Sequence, residues 1–338
     1  NNNDYFTPQR VIDGLNQWIA STDGGKPAGY APSWFNIDDY ISTGDNRDPF
    51  GGAFQPRIGF SYDLFGDRST VIFGGAGRYY DRVQFNFSFD ELAKPFDFSQ
   101  NVFFSTTGGA PGTVDGSAAN PFLWDPSYMT TAGLDALLED VPARGEAFLL
   151  ANDFEPPRTD QFNLGVRQRF GDWQTEATLA YGTTENEFTW LYLNRCREPT
   201  RPSQGSGFGD NGGFCSPGGA NPYRTYLVSD HNKEREFTAL YLKADKPYSE
   251  ASGWGLNVAY TLSRSKQNGG NDNFCFDCFD IESSPWRSSQ NDERHRLVAN
   301  GIVDLPLDFQ LSGILTLGSG TPFDVFDSTG PNFVYRPY

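Results

Sequence analysis

Apolar and polar side chains alternate along residues 55–81, where Ile58 and Phe60 are flanked by Arg57 and Ser61. A period of two predicts an extended strand whose two faces meet different environments. A glycine-bearing turn follows at residues 65–68, and a second alternating segment begins after it. Each predicted strand holds about nine to eleven residues, the length that crosses a bilayer at a tilt. A hairpin in a soluble antiparallel sheet has the same pattern, so only the rest of the chain can distinguish a membrane-spanning hairpin from a soluble one.

The same alternation recurs in six later segments. They cover residues 159–170, 173–183, 236–245, 253–263, 294–305 and 309–318. Short turns join the strands within each pair, whereas long segments join one pair to the next. Antiparallel neighbours therefore carry the short turns on one rim and the long loops on the other, which is typical of an outer-membrane β-barrel. The alternative is a soluble β-sandwich, whose loops are usually more even in length.

This organisation divides the chain into an extracellular loop at residues 1–54 and strands in hairpins over residues 55–338. Long extracellular loops are predicted at residues 82–158, 184–224 and 264–291. Two short helices are predicted inside the irregular stretches, at residues 10–19 and 131–138. The predicted fold class is all-β, an antiparallel transmembrane β-barrel to which this chain contributes about eight strands.

The alternation also predicts which side chains face lipid and which face the barrel lumen. The residues predicted to face lipid are Ile58, Phe60, Leu164, Leu179, Leu256 and Leu311. The residues predicted to face the lumen are Arg57, Arg78, Arg167, Glu176 and Asn257. Because the period is two, a register slip by one residue would exchange the two sets.

Composition narrows the choice of partners. The formal net charge of −17 argues against nucleic acid, since phosphate binding needs a basic surface. The same acidity disfavours docking on an anionic membrane surface, but not insertion through an apolar outer band. Gly and Phe are abundant, with 37 and 30 residues, and both are mediocre helix formers. No apolar run approaches about 18 residues, so the sequence predicts no transmembrane helix.

Several motifs carry a resemblance to a known family. They are PRIGFSYDLFGD at residues 56–67, GGAGRYYD at 74–81, RTDQFNLGV at 158–166, NDERHRLVANGIVDLP at 291–306 and SGTPF at 319–323. In order and spacing these motifs are similar to TonB-dependent outer-membrane receptors of the Oar-like group. The resemblance touches all eight predicted strands and few of the loops.

This resemblance implies a barrel of 22 strands with an N-terminal plug domain that contacts the TonB complex. The chain has no recognisable plug and no TonB-contacting box, and Pro337 makes its last segment a poor closing strand. We therefore interpret the chain as the C-terminal part of the barrel of a longer receptor. The implied partners are outer-membrane lipid, the TonB complex through the plug, and a ligand that the sequence does not identify. The Oar-like group is associated with large substrates such as peptides, proteins or glycans.

The candidate catalytic residues are few. His231 and His295 are far apart and have no neighbour at metal-ligand spacing, so we interpret both as hydrogen-bonded polar residues. No serine lies in a nucleophile-elbow setting. The glycine run at residues 74–77 lacks the lysine and helix of a phosphate loop, and we interpret it as small residues facing a crowded lumen. The sequence therefore predicts no enzyme.

The four cysteines all lie in predicted long loops. The environment outside the cell is oxidising, so we predict two local disulfides in these loops, Cys196–Cys215 and Cys275–Cys278. Local pairs close short loops and need no approach between separate loops. Four cysteines allow three connectivities, and zinc binding by the same thiolates is the alternative.

An acidic cluster lies in the third long loop, at Asp272, Asp277, Asp280 and Glu282. Loops rich in carboxylates can hold calcium, which accepts irregular oxygen geometry. The spacing does not match an EF-hand, and we favour solvated charge over a calcium site. No other cofactor is predicted.

Three functions are consistent with these observations. The leading hypothesis is a receptor-transporter of the bacterial outer membrane whose extracellular loops capture a ligand that is then moved inward with TonB-derived energy. The second is a structural or adhesive surface protein without transport. The third is a secreted soluble β-sandwich that binds carbohydrate.

Overall fold

The computed structural model describes most of the chain. The described residues are 5–23, 26–82, 85–98, 102–107, 121–140, 144–194, 215, 217–218, 221–270, 274–275, 278, 280–282, 284–327 and 334–337. Three α-helices occur in this part of the chain, α1 (Gln9–Ala20), α2 (Phe85–Ala93) and α3 (Thr131–Asp140). None of them is long and apolar enough to cross a membrane.

Strands account for most of the regular structure. In chain order they are β1 (Arg57–Asp63), β2 (Thr70–Tyr80), β3 (Phe104–Ser105), β4 (Phe122–Leu123), β5 (Gly145–Leu149), β6 (Arg158–Phe170), β7 (Trp173–Tyr192), β8 (Tyr223–Ser249), β9 (Trp254–Gln267), β10 (Phe274–Cys275), β11 (Arg287–Ser288), β12 (His295–Leu305), β13 (Phe309–Gly318), β14 (Asp324–Asp327) and β15 (Val334–Pro337). Both predicted helices, at residues 10–19 and 131–138, fall within α1 and α3.

The largest sheet has eleven strands, eight of which follow one another in the order β1-β2-β6-β7-β8-β9-β12-β13. The other three are short and pair beside this path, β5 with β8, β10 with β7 and β11 with β9. Every neighbour in this path is antiparallel, which confirms the predicted hairpin order. The turn glycines Gly66 and Gly171 have positive φ, as tight turns between antiparallel strands require. Within the described residues no strand pairs with the outer edge of β1 or β13, so the sheet is open.

The structure moves two predicted loop boundaries. β7 continues to Tyr192 and β8 begins at Tyr223, so the loop between them is shorter than residues 184–224. Glu187 pairs with Lys233 and Arg235 across these two strands, at 3.5 and 3.1 Å. These charged residues lack an apolar period, which is why the sequence suggested a loop. With 20 and 27 residues, β7 and β8 exceed what a bilayer needs and project beyond one rim.

The strand register divides the sheet into two chemically different faces. Directly paired residues share a face, and Leu164 pairs with Gly74 on one side and Leu179 on the other. The large apolar residues that share this face and remain exposed are Ile58, Phe60, Tyr62, Phe162, Leu164, Val166, Leu179, Tyr181, Leu242, Leu262, Val303, Leu311, Leu315 and Leu317. A water-soluble protein rarely exposes so continuous an apolar surface, whereas a barrel presents it to lipid.

The opposite face carries the polar residues. Arg167 pairs with Glu176 across β6 and β7, and Asn257 donates to Asp245 across β9 and β8. Arg57 lies on this face as well, because it pairs with Gly77 and stacks on Tyr79. These residues therefore lie where the alternation predicted a lumen-facing set, and the six predicted lipid-facing residues lie together on the other side.

The predicted orientation of Arg78 is wrong. Ile58 pairs with Ala76, so Arg78, two residues further along β2, lies on the apolar face. It sits at the end of β2 beside the long-loop rim and forms a double hydrogen bond with Asp160, at 2.7 and 2.8 Å. The small residues of β2 make room for rings on the apolar face, since a Cβ on Gly74 would lie 2.9 Å from the Phe60 ring. Gly74 and Ala76 therefore lie on the apolar face, whereas Gly75 and Gly77 face the lumen, so the prediction that this glycine run faces a crowded lumen holds for only half of it.

Candidate ligand-binding surface at the long-loop rim

The buried core of this protein lies beyond one end of the sheet, where the long loops emerge. We call this region the cap, and it consists of α1, α2, β5 and the projecting parts of β7 and β8 together with the two residues that adjoin each of them (187–194 and 221–233). Val11, Leu15 and Trp18 repeat at helical spacing along α1 and are fully buried. They pack with the buried rings of Tyr223 and Tyr226 from β8. The predicted loop of residues 1–54 thus contains a helix that is docked on the sheet.

Hydrogen bonds hold α1 in place. The Trp18 indole N–H donates to the carbonyl of Cys215 at 2.7 Å, and the Asn221 amide donates to the carbonyl of Gly14 at 2.6 Å. The Tyr226 hydroxyl donates to Asn221 Oδ1 at 3.0 Å, and burial raises the pKa of this hydroxyl above its ordinary value. A Cβ on Gly14 would come within 2.6 Å of the Tyr226 hydroxyl, so the close approach of α1 to β8 requires glycine at this position.

A second cluster, which is aromatic, joins α2 to the sheet. Phe87 of α2 stacks on Phe188 of β7 with ring centroids 3.6 Å apart. Trp190 meets Phe188 edge-on at 4.9 Å and Phe148 of β5 edge-on at 4.8 Å. Edge-to-face rings of this kind contribute about 0.5–1.5 kcal/mol each beyond their burial. The cluster fixes three separate segments of the chain to one another.

One buried ion pair connects the first two long loops. Glu91 is fully buried and accepts two hydrogen bonds from the Arg47 guanidinium, at 2.6 and 2.8 Å. The same carboxylate accepts the backbone N–H of Leu150 at 2.9 Å. Arg47 also donates to the Leu150 carbonyl and to Asn152 Oδ1. Each partner in this network is satisfied, which a buried charge pair needs in order to be tolerated. The sequence reasoning missed it because Arg47 and Glu91 lie 44 residues apart.

The cysteines and the acidic cluster are only partly within the described residues. A disulfide joins Cys275 to Cys278, with Cα atoms 5.3 Å apart. Cys196 lies outside the described residues, so the Cys196–Cys215 bridge stays a prediction, as does zinc binding. Asp272 and Asp277 also lie outside them, and the calcium site stays a prediction too. Among the residues that the structure does describe, no three acidic, cysteine or histidine groups are arranged to hold a metal ion.

The two histidines lie in unrelated surroundings. His295 Nδ1 is 2.8 Å from the Tyr260 hydroxyl, at the start of β12. His231 meets the Phe154 ring edge-on in the cap, with centroids 6.0 Å apart. The fold does not bring them together.

A concave area lies on the polar face just below the cap. It encloses about 340 Å³. Its floor is made by the small residues Ala180 and Gly182, and its walls carry the amides of Gln161 and Asn163 and the ring of Phe237. In a closed barrel this area would form part of the lumen wall. Aromatic rings beside side-chain amides suit a ligand with both apolar and polar groups.

The arrangement as a whole defines the class of protein. An antiparallel sheet with an exposed apolar face, a polar opposite face, short turns on one rim and folded loops on the other is a β-barrel sheet of the outer-membrane type. In agreement with this, residues 20–337 match the family model described as outer membrane beta barrel domain. The chain belongs to this family and resides in the bacterial outer membrane. No curated protein sequence matches the chain.

Solved structures are similar to this chain at low sequence identity. The outer membrane transporter YddB from Escherichia coli is similar over 84% of this chain and 32% of its own, with 11% identity and a TM-score of 0.51. The alcaligin outer membrane receptor FauA from Bordetella pertussis is similar over 79% of this chain and 29% of its own, with 13% identity and a TM-score of 0.35. The chain thus spans about a third of the length of these proteins. At 11% identity, the similarity to YddB shows the fold alone.

Proposed function

We propose that the chain is part of an outer-membrane receptor-transporter, in which the cap and the loops around it bind a ligand at the cell exterior. The observation that carries the proposal is the asymmetry of the two rims. One rim has only tight turns between strands, whereas the other has a folded cap built on strands that project beyond the bilayer. Bacterial barrels keep their short turns in the periplasm, which would put the cap outside.

Inward movement of the ligand is the second part of the proposal. The resemblance to TonB-dependent receptors of the Oar-like group implies a plug domain that couples the barrel to the TonB complex. A broad surface rich in aromatic rings suits a large ligand such as a peptide, protein or glycan. The excess of carboxylates favours a neutral or cationic ligand over an anionic one.

The orientation can be tested with two single-cysteine variants of the full receptor. Met129 lies on the long-loop side, 78% exposed, and Leu307 lies in the short turn between β12 and β13, 87% exposed. A membrane-impermeant thiol reagent should label Met129→Cys on intact cells. It should label Leu307→Cys only after the outer membrane has been opened. Labelling of Leu307→Cys on intact cells, with Met129→Cys protected, would invert the orientation and remove the receptor proposal.

Transport is tested separately from binding. Cells with and without the receptor gene are offered labelled peptides, proteins and polysaccharides, and both surface-bound and internal label are measured. A transporter should accumulate one class internally, and collapse of the proton gradient should stop the accumulation while leaving surface binding intact. Surface binding without any accumulation would instead support the structural or adhesive function.

A further inference from the structure

Part of the loop between β2 and β6 folds as a small unit of its own. We call it the aromatic module, and it consists of residues 102–107 and 121–140. β3 and β4 pair in parallel within it, and the backbone N–H of Phe122 donates to the Phe103 carbonyl at 3.0 Å. The N–H of Trp124 donates to the Ser105 carbonyl at 2.9 Å. These bonds bring two segments separated by more than a dozen residues to one place.

Three rings form the centre of the aromatic module. Phe104 lies 5.5 Å from Trp124 and 5.1 Å from Tyr128, and Trp124 lies 6.1 Å from Tyr128, measured between ring centroids. Asp125 accepts the backbone N–H of Ser127 at 2.7 Å and so starts the helical turn that carries Tyr128. The rings are therefore held in a defined arrangement by the local backbone.

This arrangement leaves much apolar surface in water. The exposed large apolar residues of the aromatic module are Phe103, Phe104, Leu123, Trp124, Met129 and Leu134, with Met129 78% exposed. Unlike the exposed residues on the strands, they belong to the segment that leaves the sheet after β2 and re-enters it at β6, both at the long-loop rim, so we do not assign them to bilayer lipid. A clustered apolar patch on a surface in water generally marks a site of interaction.

The charge around this patch has one sign. Between Lys94 and Arg144 the sequence contains no Lys, Arg or His, and every charged residue there is acidic. Elsewhere the chain's own cations cover its rings, as Arg10 covers Phe96 and Lys246 covers Trp254, each at 4.1 Å. The described part of the aromatic module contains no cation to do so. Its ring faces and carboxylates are both electronegative and would attract a cation from outside.

We propose that the aromatic module binds a cationic amphipathic peptide segment, in which Lys or Arg alternates with apolar side chains. The apolar side chains would cover the exposed rings, and each cation would meet a ring face or a carboxylate. A second copy of this chain, with a net charge of −17, and an anionic lipid surface would both be repelled. The inference rests on the proposed position of the aromatic module at the cell exterior but not on transport, and its binding step can be tested with purified protein.

The test measures binding of three fluorescein-labelled octapeptides to the full receptor in detergent. The first alternates Arg with Phe, the second Glu with Phe, and the third Arg with Ser. The Arg-Phe peptide should bind at least about tenfold more tightly than the other two, because only it supplies both cations and apolar side chains. Equal binding of the Arg-Phe and Glu-Phe peptides would overturn the proposal.

Variants at two positions locate the binding. Met129→Lys and Met129→Glu change one exposed side chain to opposite charges, and the Lys variant should bind the Arg-Phe peptide about tenfold more weakly than the Glu variant. Trp124→Ala should also weaken binding by about tenfold, through loss of a ring. Trp286→Ala and Asp308→Asn are the matched controls, since Trp286 is another exposed ring and Asp308 lies in a short turn at the other rim.

The outcomes separate this inference from the proposed function. Equal affinity of the two Met129 variants for the Arg-Phe peptide would show that the peptide binds elsewhere and would refute the inference. A loss of affinity in the Trp286→Ala control as large as that in Trp124→Ala would refute it as well. Peptide that binds the aromatic module but never accumulates in cells would refute transport alone. If a ligand accumulates in cells and its binding and uptake are the same in all Met129 and Trp124 variants, transport is supported and this site is refuted.

Discussion

Substituting arginine on adjacent residues of β6 tests the assignment of the two faces. Leu164 is on the apolar face and Asn163 is on the polar face, and both are exposed on the sheet. Leu164 is the seventh of the 13 residues of β6. Six residues on either side, at about 3.4 Å each and a tilt of about 45°, give roughly 14 Å of vertical rise. Leu164 therefore lies near the middle of a hydrocarbon core about 30 Å thick.

An arginine at this depth should be costly on one face only. We expect Leu164→Arg to lower the free energy of unfolding by about 2–4 kcal/mol, the usual cost of a lipid-facing arginine near the midplane. Asn163→Arg places the same side chain one residue away in an aqueous lumen and should change stability by only about 0.5 kcal/mol. The measurement is urea unfolding of the full receptor in phospholipid vesicles, followed by tryptophan fluorescence and by the heat-dependent gel mobility of the barrel. Equal losses in the two variants, or a larger loss in Asn163→Arg, would refute the face assignment.

Three further predictions concern the cap and its loops. Glu91→Gln should leave Arg47 without a counter-ion and destabilise the cap by about 3–5 kcal/mol. Limited proteolysis should then show new cleavage in the cap, while the gel mobility of the barrel stays the same. An unchanged digest would contradict this. Burial raises the pKa of the Asp230 carboxyl, so the folded cap binds the proton of this group more tightly than the unfolded chain does. The cap therefore loses stability as pH rises above about 4, where the carboxyl of the unfolded chain ionises. Asp230→Asn should remove this dependence, measured by hydrogen exchange at about pH 4 and pH 7, and an identical pH dependence in both proteins would count against it. Non-reducing peptide mapping should recover Cys196 with Cys215, and a fragment joining Cys196 to Cys275 would show another connectivity.

The hairpin order could be predicted because its signals are local. The alternation around Leu164 and the glycine turn at Gly171 both lie within a few residues of chain, and each contributes the same information in any context. The lipid-facing set followed from the same period of two. The predicted helix at residues 10–19 likewise needed no knowledge of the rest of the fold.

The cap could not be predicted, because its elements are defined by contacts between distant residues. The pairs of Arg47 with Glu91, and of Glu187 with Lys233, look like loop charge until the strands bring them together. Polar residues that pair across projecting strands have no apolar period, so the hydrophobicity pattern of the sequence does not reveal the extension of β7 and β8.

Arg78 shows at a single residue what the sequence determines and what only the tertiary structure decides. The sequence by itself determined that Arg78 alternates with Val71, Phe73 and Tyr79 along β2, because the strand period is a local property of the backbone. Which of the two sets meets lipid depended on the register with β1 and β6, and small residues such as Gly74 are compatible with either side. Only the tertiary structure decided it, because register is set by side chains on neighbouring strands and a shift of one residue exchanges the faces.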